Sequence, residues 1–206
     1  MKMVEENLLR LDESILKYIV EGPKKWKSIT IRHLLTHSSG IPDYTSEEFD
    51  YSKNYSEEDL VEMASKLDLE FSAGKRWNYS NTGYVLLGVI MSRVAKKPYW
   101  EYLDEHIFTP AGMHSIRINT EKDIVPNKAK GYIPSKEGYQ HASYVAPITN
   151  TTADGSMLLS LEDLLAWNST VKNKMILKRK SWNLILSPMK LTSGNNYPSG
   201  FGWFIE

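Results

Sequence analysis

Residues 74–84, which read Gly-Lys-Arg-Trp-Asn-Tyr-Ser-Asn-Thr-Gly-Tyr, decide how the rest of this sequence is interpreted. A turn-forming glycine opens the stretch, and apolar residues recurring every three or four positions follow it. This pattern predicts a loop over 68–78 and a helix over 81–96. Tyr79 and Asn81 therefore lie where a loop meets the N-terminus of a helix, and there the helix dipole favours negative charge.

Local signals predict further helices on both sides of this stretch. A residue suited to a helix start precedes four of them, at Thr30, Ser56, Pro98 and Ser160. The corresponding helices are predicted to end near residues 37, 67, 107 and 170, and another is predicted over 178–186. Residues 3–20 are expected to form an amphipathic helix that is broken near 11–12. Short segments rich in Tyr, Ile and Val between 113 and 150, and residues 201–205, are expected to form strands.

Composition restricts the classes of protein to which the chain can belong. Its 206 residues fit a single domain, and fractions of 41% apolar and 24% charged residues are those of a folded globular protein. A net charge of zero does not favour a surface for nucleic acid or for an anionic membrane. The absence of cysteine excludes disulfides and cysteine nucleophiles, and no apolar run is long enough to span a bilayer.

Two further segments stand in order around residues 74–84. Residues 29–42 read Ile-Thr-Ile-Arg-His-Leu-Leu-Thr-His-Ser-Ser-Gly-Ile-Pro, and residues 153–167 read Ala-Asp-Gly-Ser-Met-Leu-Leu-Ser-Leu-Glu-Asp-Leu-Leu-Ala-Trp. Together with residues 8–14 and 200–203, these segments resemble the β-lactamase-like family. That family contains class C β-lactamases, D-alanyl-D-alanine carboxypeptidases and related esterases. The resemblance implies an α+β fold of the β-lactamase/transpeptidase type over residues 1–206, with mostly the helical lobe and an incomplete antiparallel sheet present.

The resemblance also implies roles for three side chains. Tyr79 would move the proton between a nucleophilic serine and the leaving group, and Asn81 would donate a hydrogen bond to the substrate's amide. Tyr44 would line the cleft. For Tyr79 to act as a base near pH 7, its pKa must fall by about 3 units, which corresponds to roughly 4 kcal/mol and is usually supplied by lysines. The alternative is that Tyr79 packs under the helix and Asn81 caps it.

The family's nucleophile is the serine of a Ser-x-x-Lys turn, expected shortly before residues 3–7. A Lys-Thr-Gly or His-x-Gly strand is expected well after residues 200–203. We therefore expect a chain truncated at both ends and inactive alone. Four strings match Ser-x-x-Lys by spacing, at Ser14, Ser72, Ser169 and Ser187. Each falls where the family has a different feature, so none is expected to be the nucleophile.

Other interpretations stay open at this point. His33 and His37 have the spacing of a zinc pair on a helix, but residue 34 is leucine and no third ligand is evident, so we expect no metal site there. The chemistry that the resemblance implies needs no metal and no cofactor. The expected partner is a small molecule or peptide with an acyl or amide group. Uncovered apolar faces of helices 3–20 and 81–96 would favour self-association. The rivals are a non-catalytic ligand-binding module and a fragment that needs a complementing chain. Family members are often exported, but the location of this chain is not fixed by its sequence.

Overall fold

A computed structural model describes residues 1–45, 49–50, 52–53, 55–118, 124–142, 152–155 and 157–206. The α-helices in these ranges are α1 (Lys2–Glu5), α2 (Ile31–Leu35), α3 (Glu57–Lys66), α4 (Asn81–Ala95), α5 (Tyr99–Leu103), α6 (Thr109–Ala111), α7 (Leu161–Lys172) and α8 (Arg179–Ile185). A π-helical segment, Asp104–Phe108, joins α5 to α6. The strands are β1 (Arg117–Ile118), β2 (Tyr132–Ser135), β3 (Gly138–His141), β4 (Met157–Leu158), β5 (Met189–Lys190) and β6 (Asn196–Tyr197). They form three antiparallel pairs, β1–β4, β2–β3 and β5–β6.

Reciprocal capping fixes the starts of α3 and α7. Ser56 Oγ accepts the Asp59 N–H at 3.1 Å, and Asp59 Oδ2 accepts the Ser56 N–H at 2.8 Å. Ser160 and Asp163 repeat the arrangement at 3.1 and 3.0 Å. Each box satisfies two backbone groups that a helix start leaves unpaired. The starts predicted for these two helices are confirmed.

Helix α4 forms the centre of the core. Val85, Leu86 and Ile90 are fully buried, and the helix packs against α2 and α3. Gly40 allows the chain to pass close beside this core, because it adopts φ +78° and a Cβ there would lie 2.0 Å from the Phe71 carbonyl oxygen. The expectation that the apolar face of helix 81–96 lacks cover is therefore wrong.

The prediction of a helix over residues 3–20, broken near 11–12, is also wrong. Helix α1 ends at Glu5, Asn7 adopts φ +60°, and only a short 3-10 turn follows at Ile15–Lys17. The reason is that the backbone of this segment bonds to a distant one. The Ile15 N–H donates to the Ile29 carbonyl at 2.9 Å, and the Leu11 carbonyl accepts the Arg32 N–H at 2.8 Å. Here the apolar pattern reflects which side chains are buried, and the segment that carries it does not form a helix.

The strand predicted over 201–205 is reduced to one bridge between Ser199 and Phe204. Gly202 adopts φ +74°, and the Gly200 N–H donates to the Trp203 carbonyl, so the chain turns tightly. Phe204 is left 75% exposed.

Part of the strand-rich region predicted between 113 and 150 is present as β1, β2 and β3. Residues 119–123 and 143–151 lie outside the described residues. Within the described part of the chain, no helix combines the length and the apolar character needed to cross a bilayer.

Candidate active site

The Tyr79–Asn81 segment forms the start of α4, and Asp43 binds it there. Asp43 Oδ2 accepts both the backbone N–H and the side-chain Nδ2 of Asn81, each at 3.0 Å. Its Oδ1 accepts the backbone N–H and the hydroxyl of Thr45, both at 2.8 Å. The side chain that caps the start of α4 is therefore the carboxylate of Asp43. The alternative interpretation assigned this role to the Asn81 side chain.

The Asn81 amide joins Tyr79 to Asp43. Its Oδ1 accepts the Tyr79 hydroxyl at 3.0 Å while its Nδ2 donates to the carboxylate. Because a carboxylate only accepts, this partner fixes the orientation of the amide. An Asn Nδ2 carries two hydrogens, so within the described ranges one donor is left beyond the bond to Asp43. Tyr79 is 50% exposed and is thus accessible to a ligand from solvent, rather than packed under the helix.

The electrostatic environment of Tyr79 keeps its hydroxyl protonated. Burial raises the pKa of the phenol, and the nearby carboxylates of Asp43 and Asp154 raise it further. This direction is opposite to the one a general base needs. The cations that would lower the pKa of Tyr79 are not among the charges that act on it in the described part of the chain.

Tyr44 is buried beneath the site and is only 6% exposed. Its hydroxyl donates to Asp154 Oδ2 at 2.6 Å, and its backbone N–H donates to Thr82 Oγ1 at 2.9 Å. Thr152 donates to the other oxygen of the same carboxylate at 2.5 Å. In this arrangement Tyr44 orients Asp154. Its assignment to substrate binding stays a prediction.

The histidine pair separates into two different environments. His33 Nδ1 accepts the Thr30 N–H at 3.2 Å, whereas His37 Nδ1 accepts the Ser80 N–H at 3.2 Å. Among the described residues, no three histidine or acidic side chains form a cluster that could hold a metal ion.

In the sequence, His37 stands out only as half of a possible zinc pair. The structure places its ring directly against Tyr79, with ring centroids 4.6 Å apart. His37 and Asp43 both lie within or next to the 29–42 segment, but no spacing in the sequence indicates that they meet residues 79–81.

The serines of the four Ser-x-x-Lys matches form hydrogen bonds with residues close to them in the sequence. Ser14 Oγ accepts the Leu16 N–H, Ser169 Oγ accepts from Asn173 Nδ2, and Ser187 Oγ donates to the Asn183 carbonyl. The Ser72 carbonyl accepts the Lys75 N–H within a turn. The hydroxyl and ring contacts of Tyr79 go instead to Asn81 and His37.

A separate cavity of about 840 Å³ lies between α3, α5 and β1. Glu57 lines it, and the Oε1 atom of Glu57 is buried without a hydrogen-bond partner among the described residues. Burial raises the pKa of Glu57 to about 7, with further contributions from Glu58 and Asp154. Tyr79 and Asn81 are not among the described residues that line this cavity, so the cavity is separate from the two candidate residues.

Comparisons with known proteins agree with this architecture. The family model described as beta-lactamase matches residues 1–206. Penicillin-binding protein 4* of Bacillus subtilis (strain 168) is 29% identical over 98% of this chain and 48% of its own length. Protein flp of Staphylococcus aureus (strain MW2) is 27% identical over 100% of this chain and 43% of its own. The chain thus spans about half the length of the curated relatives it matches.

Solved structures superpose on nearly the whole chain. The octameric penicillin-binding protein homologue from Pyrococcus abyssi matches with a TM-score of 0.79 and 30% identity, over 98% of this chain and 49% of that one. D-amino acid amidase from Ochrobactrum anthropi SV3, complexed with L-phenylalanine amide, matches with a TM-score of 0.82 and 25% identity, over 98% and 60%. These matches confirm the α+β fold of the β-lactamase/transpeptidase type.

Proposed function

The chain belongs to the beta-lactamase family, and from that premise we propose that it carries the tyrosine–asparagine half of a serine-hydrolase site. The observation that supports this most directly is the hydrogen-bonded series from the hydroxyl of the half-exposed Tyr79 through Asn81 to Asp43. The proposed reaction transfers the acyl group of an amide, β-lactam or ester to a serine, and water then releases it.

Each member of the series has a distinct part in this proposal. A serine hydroxyl attacks the acyl carbon, and its proton passes by way of the Tyr79 oxygen to the departing nitrogen or oxygen. The free Nδ2 hydrogen of Asn81 donates to the amide of the substrate. Asp43 holds the amide in the orientation that presents this donor. The attacking serine and the cation that lowers the pKa of Tyr79 are proposed to lie outside the described residues.

The names of the similar proteins support an amide-type substrate. One solved relative is named a D-amino acid amidase, and two curated relatives are named penicillin-binding proteins. We propose a small molecule or peptide with an acyl or amide group as the ligand of this chain.

The proposal is tested first with the purified chain and the chromogenic substrates nitrocefin and p-nitrophenyl acetate. We expect no serine-dependent turnover, because loss of a nucleophile lowers kcat by about 10⁶ in enzymes of this type. Rapid hydrolysis that disappears in Ser14→Ala would contradict the proposal.

Complementation tests the role of Tyr79. Addition of the parts of Penicillin-binding protein 4* that lie outside the matched half should restore hydrolysis. Tyr79→Phe should then lower kcat by about 10²–10⁴, the usual contribution of a proton-transferring group. Tyr18→Phe is the matched control, because the Tyr18 hydroxyl donates to Glu13 Oε2 at 2.5 Å and is partly buried. Equal activity of Tyr79→Phe and the parent would reject the assignment.

A second candidate is a binding module without catalysis, favoured by the exposure of Tyr79 and by the unused donor of Asn81. Saturable binding of a D-alanyl-D-alanine peptide, lost in Asn81→Ala, would support it. Binding without any hydrolysis after complementation would favour this candidate over the enzyme.

Self-association is also proposed for this chain. Leu161 is 76% exposed, Leu165 69% and Phe204 75%, so apolar area is open to a second copy. The similar protein from Pyrococcus abyssi is described as octameric. Light scattering that gives a monomer mass at every concentration would contradict this proposal.

A further inference from the structure

We infer that His37 is the positioning residue that holds the Tyr79 phenol in place for the proposed reaction. This inference rests on the proposed function, since it concerns the residue assigned there to proton transfer. The role inferred for His37 is more specific than a general structural one, because the contacts of His37 converge on residue 79.

The imidazole of His37 stacks on two tyrosine rings. Its centroid is 4.6 Å from that of Tyr79, with an interplanar angle of 30°. Its centroid is 5.0 Å from that of Tyr84, with an interplanar angle of 25°. Because the Tyr84 hydroxyl is bound to the Leu35 carbonyl, Tyr84 is a fixed support for the stack. Offset-stacked rings at such separations attract each other, so one face of Tyr79 has a defined position.

His37 also binds the backbone on both sides of Tyr79. Its carbonyl accepts the Asn78 N–H at 2.9 Å, and its Nδ1 accepts the Ser80 N–H at 3.2 Å. A neutral imidazole that accepts at Nδ1 carries its hydrogen on Nε2, so the Ser80 N–H selects one tautomer. One residue thus fixes residues 78, 79 and 80 together.

The backbone of residue 37 is adapted to this arrangement. His37 adopts φ +53°, a conformation uncommon for residues other than glycine, and is only 8% exposed. The neighbours that hold the ring are Tyr79, Tyr84 and, edge-on at 6.2 Å, Trp77. The carboxylate of Asp43 acts on it electrostatically. The imidazole thus supports the ring of Tyr79, and the hydrogen bond to Asn81 holds its hydroxyl.

The test substitutes His37→Asn in the intact chain. Asparagine tolerates positive φ and retains an acceptor for Ser80, so the change removes chiefly the ring. Tyr79 is observed by NMR of tyrosine labelled with ¹³C at Cζ and is assigned with Tyr79→Phe. We expect the pKa of Tyr79 to fall toward that of free tyrosine, because burial is the largest cause of its elevation. Its ring-proton shifts should also lose the contribution of the imidazole.

His33→Asn is the matched control, with the same substitution four positions earlier, where Nδ1 binds Thr30. It should lower stability without moving the Tyr79 signals. Unchanged Tyr79 signals in folded His37→Asn, or equal changes in His33→Asn, would overturn the inference.

These readouts do not depend on turnover. If complementation never yields hydrolysis while His37→Asn shifts Tyr79 as expected, the proposed function fails and the positioning contact stands. If hydrolysis is restored and its kcat does not change in His37→Asn, the positioning role is rejected and the proposed function stands.

Discussion

Replacement of Glu57 by glutamine should stabilise the protein at pH 8 and have no net effect at pH 4.5. Glu57 lies in the first turn of α3, and its buried Oε1 has no hydrogen-bond partner in the part of the chain that the structure describes. Its pKa is raised from 4.5 to about 7. Below pH 4.5 the side chain is neutral in both the folded and the unfolded states, so it contributes no pH dependence there. As the pH rises from 4.5 to about 7, the unfolded chain ionises first, and folding stability is lost across this window.

The size of the stabilisation at pH 8 follows from the shift in the pKa of Glu57. A difference of about 2.5 pKa units corresponds to at most roughly 3.4 kcal/mol at 1.36 kcal/mol per unit. Because Glu57 is partly exposed and solvent screens its charge, we expect about 1–2 kcal/mol. Glutamine cannot ionise, so this penalty is absent from the variant at every pH.

Urea unfolding at pH 4.5 and pH 8 measures the difference directly. Glu58→Gln is the control, because Glu58 shares the first turn of α3 but is exposed. It should change the free energy of unfolding by less than about 0.5 kcal/mol, which includes its interaction with the helix dipole. Equal stabilisation by Glu57→Gln at both pH values would refute the assignment of the effect to a buried, ionising carboxyl.

Three further outcomes follow from the contacts described above. Asp43→Ala should destabilise the chain by about 1–3 kcal/mol in urea unfolding, because it leaves two partly buried donors of Asn81 without their acceptor. A loss below about 0.5 kcal/mol would refute its capping role. Gly40→Ala should lower the free energy of unfolding by at least about 2 kcal/mol. Gly112→Ala, at φ +75° with no described atom within 4 Å, should lower it by only about 1 kcal/mol. Equal melting temperatures of the two variants would contradict this prediction. Ser56→Ala should lower the free energy of unfolding by about 1 kcal/mol, because α3 loses its cap. Unchanged hydrogen exchange of the amides in the first turn of α3 would argue against this capping role.

Helix starts were predictable because their determinants are local. Ser56 and Ser160 bond to residues three positions ahead, so a short window of sequence contains both partners. The same holds for Thr30. The family resemblance was predictable for a related reason, since it depends on the order of short segments along the chain.

Segments whose backbone bonds to distant residues were mispredicted. The apolar residues between 3 and 20 repeat at a spacing close to that of a helix, yet the chain pairs with residues 29–32 instead. Periodicity records which side chains are buried. It does not record whether the backbone hydrogen bonds are made within the segment or with another one.

The sequence by itself determined the family, the capped helices and the identity of Tyr79 and Asn81 as candidate residues. Only the tertiary structure determined that Asp43 binds Asn81 across 38 positions, that Tyr44 reaches Asp154 across 110, and that His37 stacks on Tyr79. Those contacts fix the charge and orientation of the site. They depend on how α2 and the loop after it pack against the start of α4, and no short window of sequence contains that information.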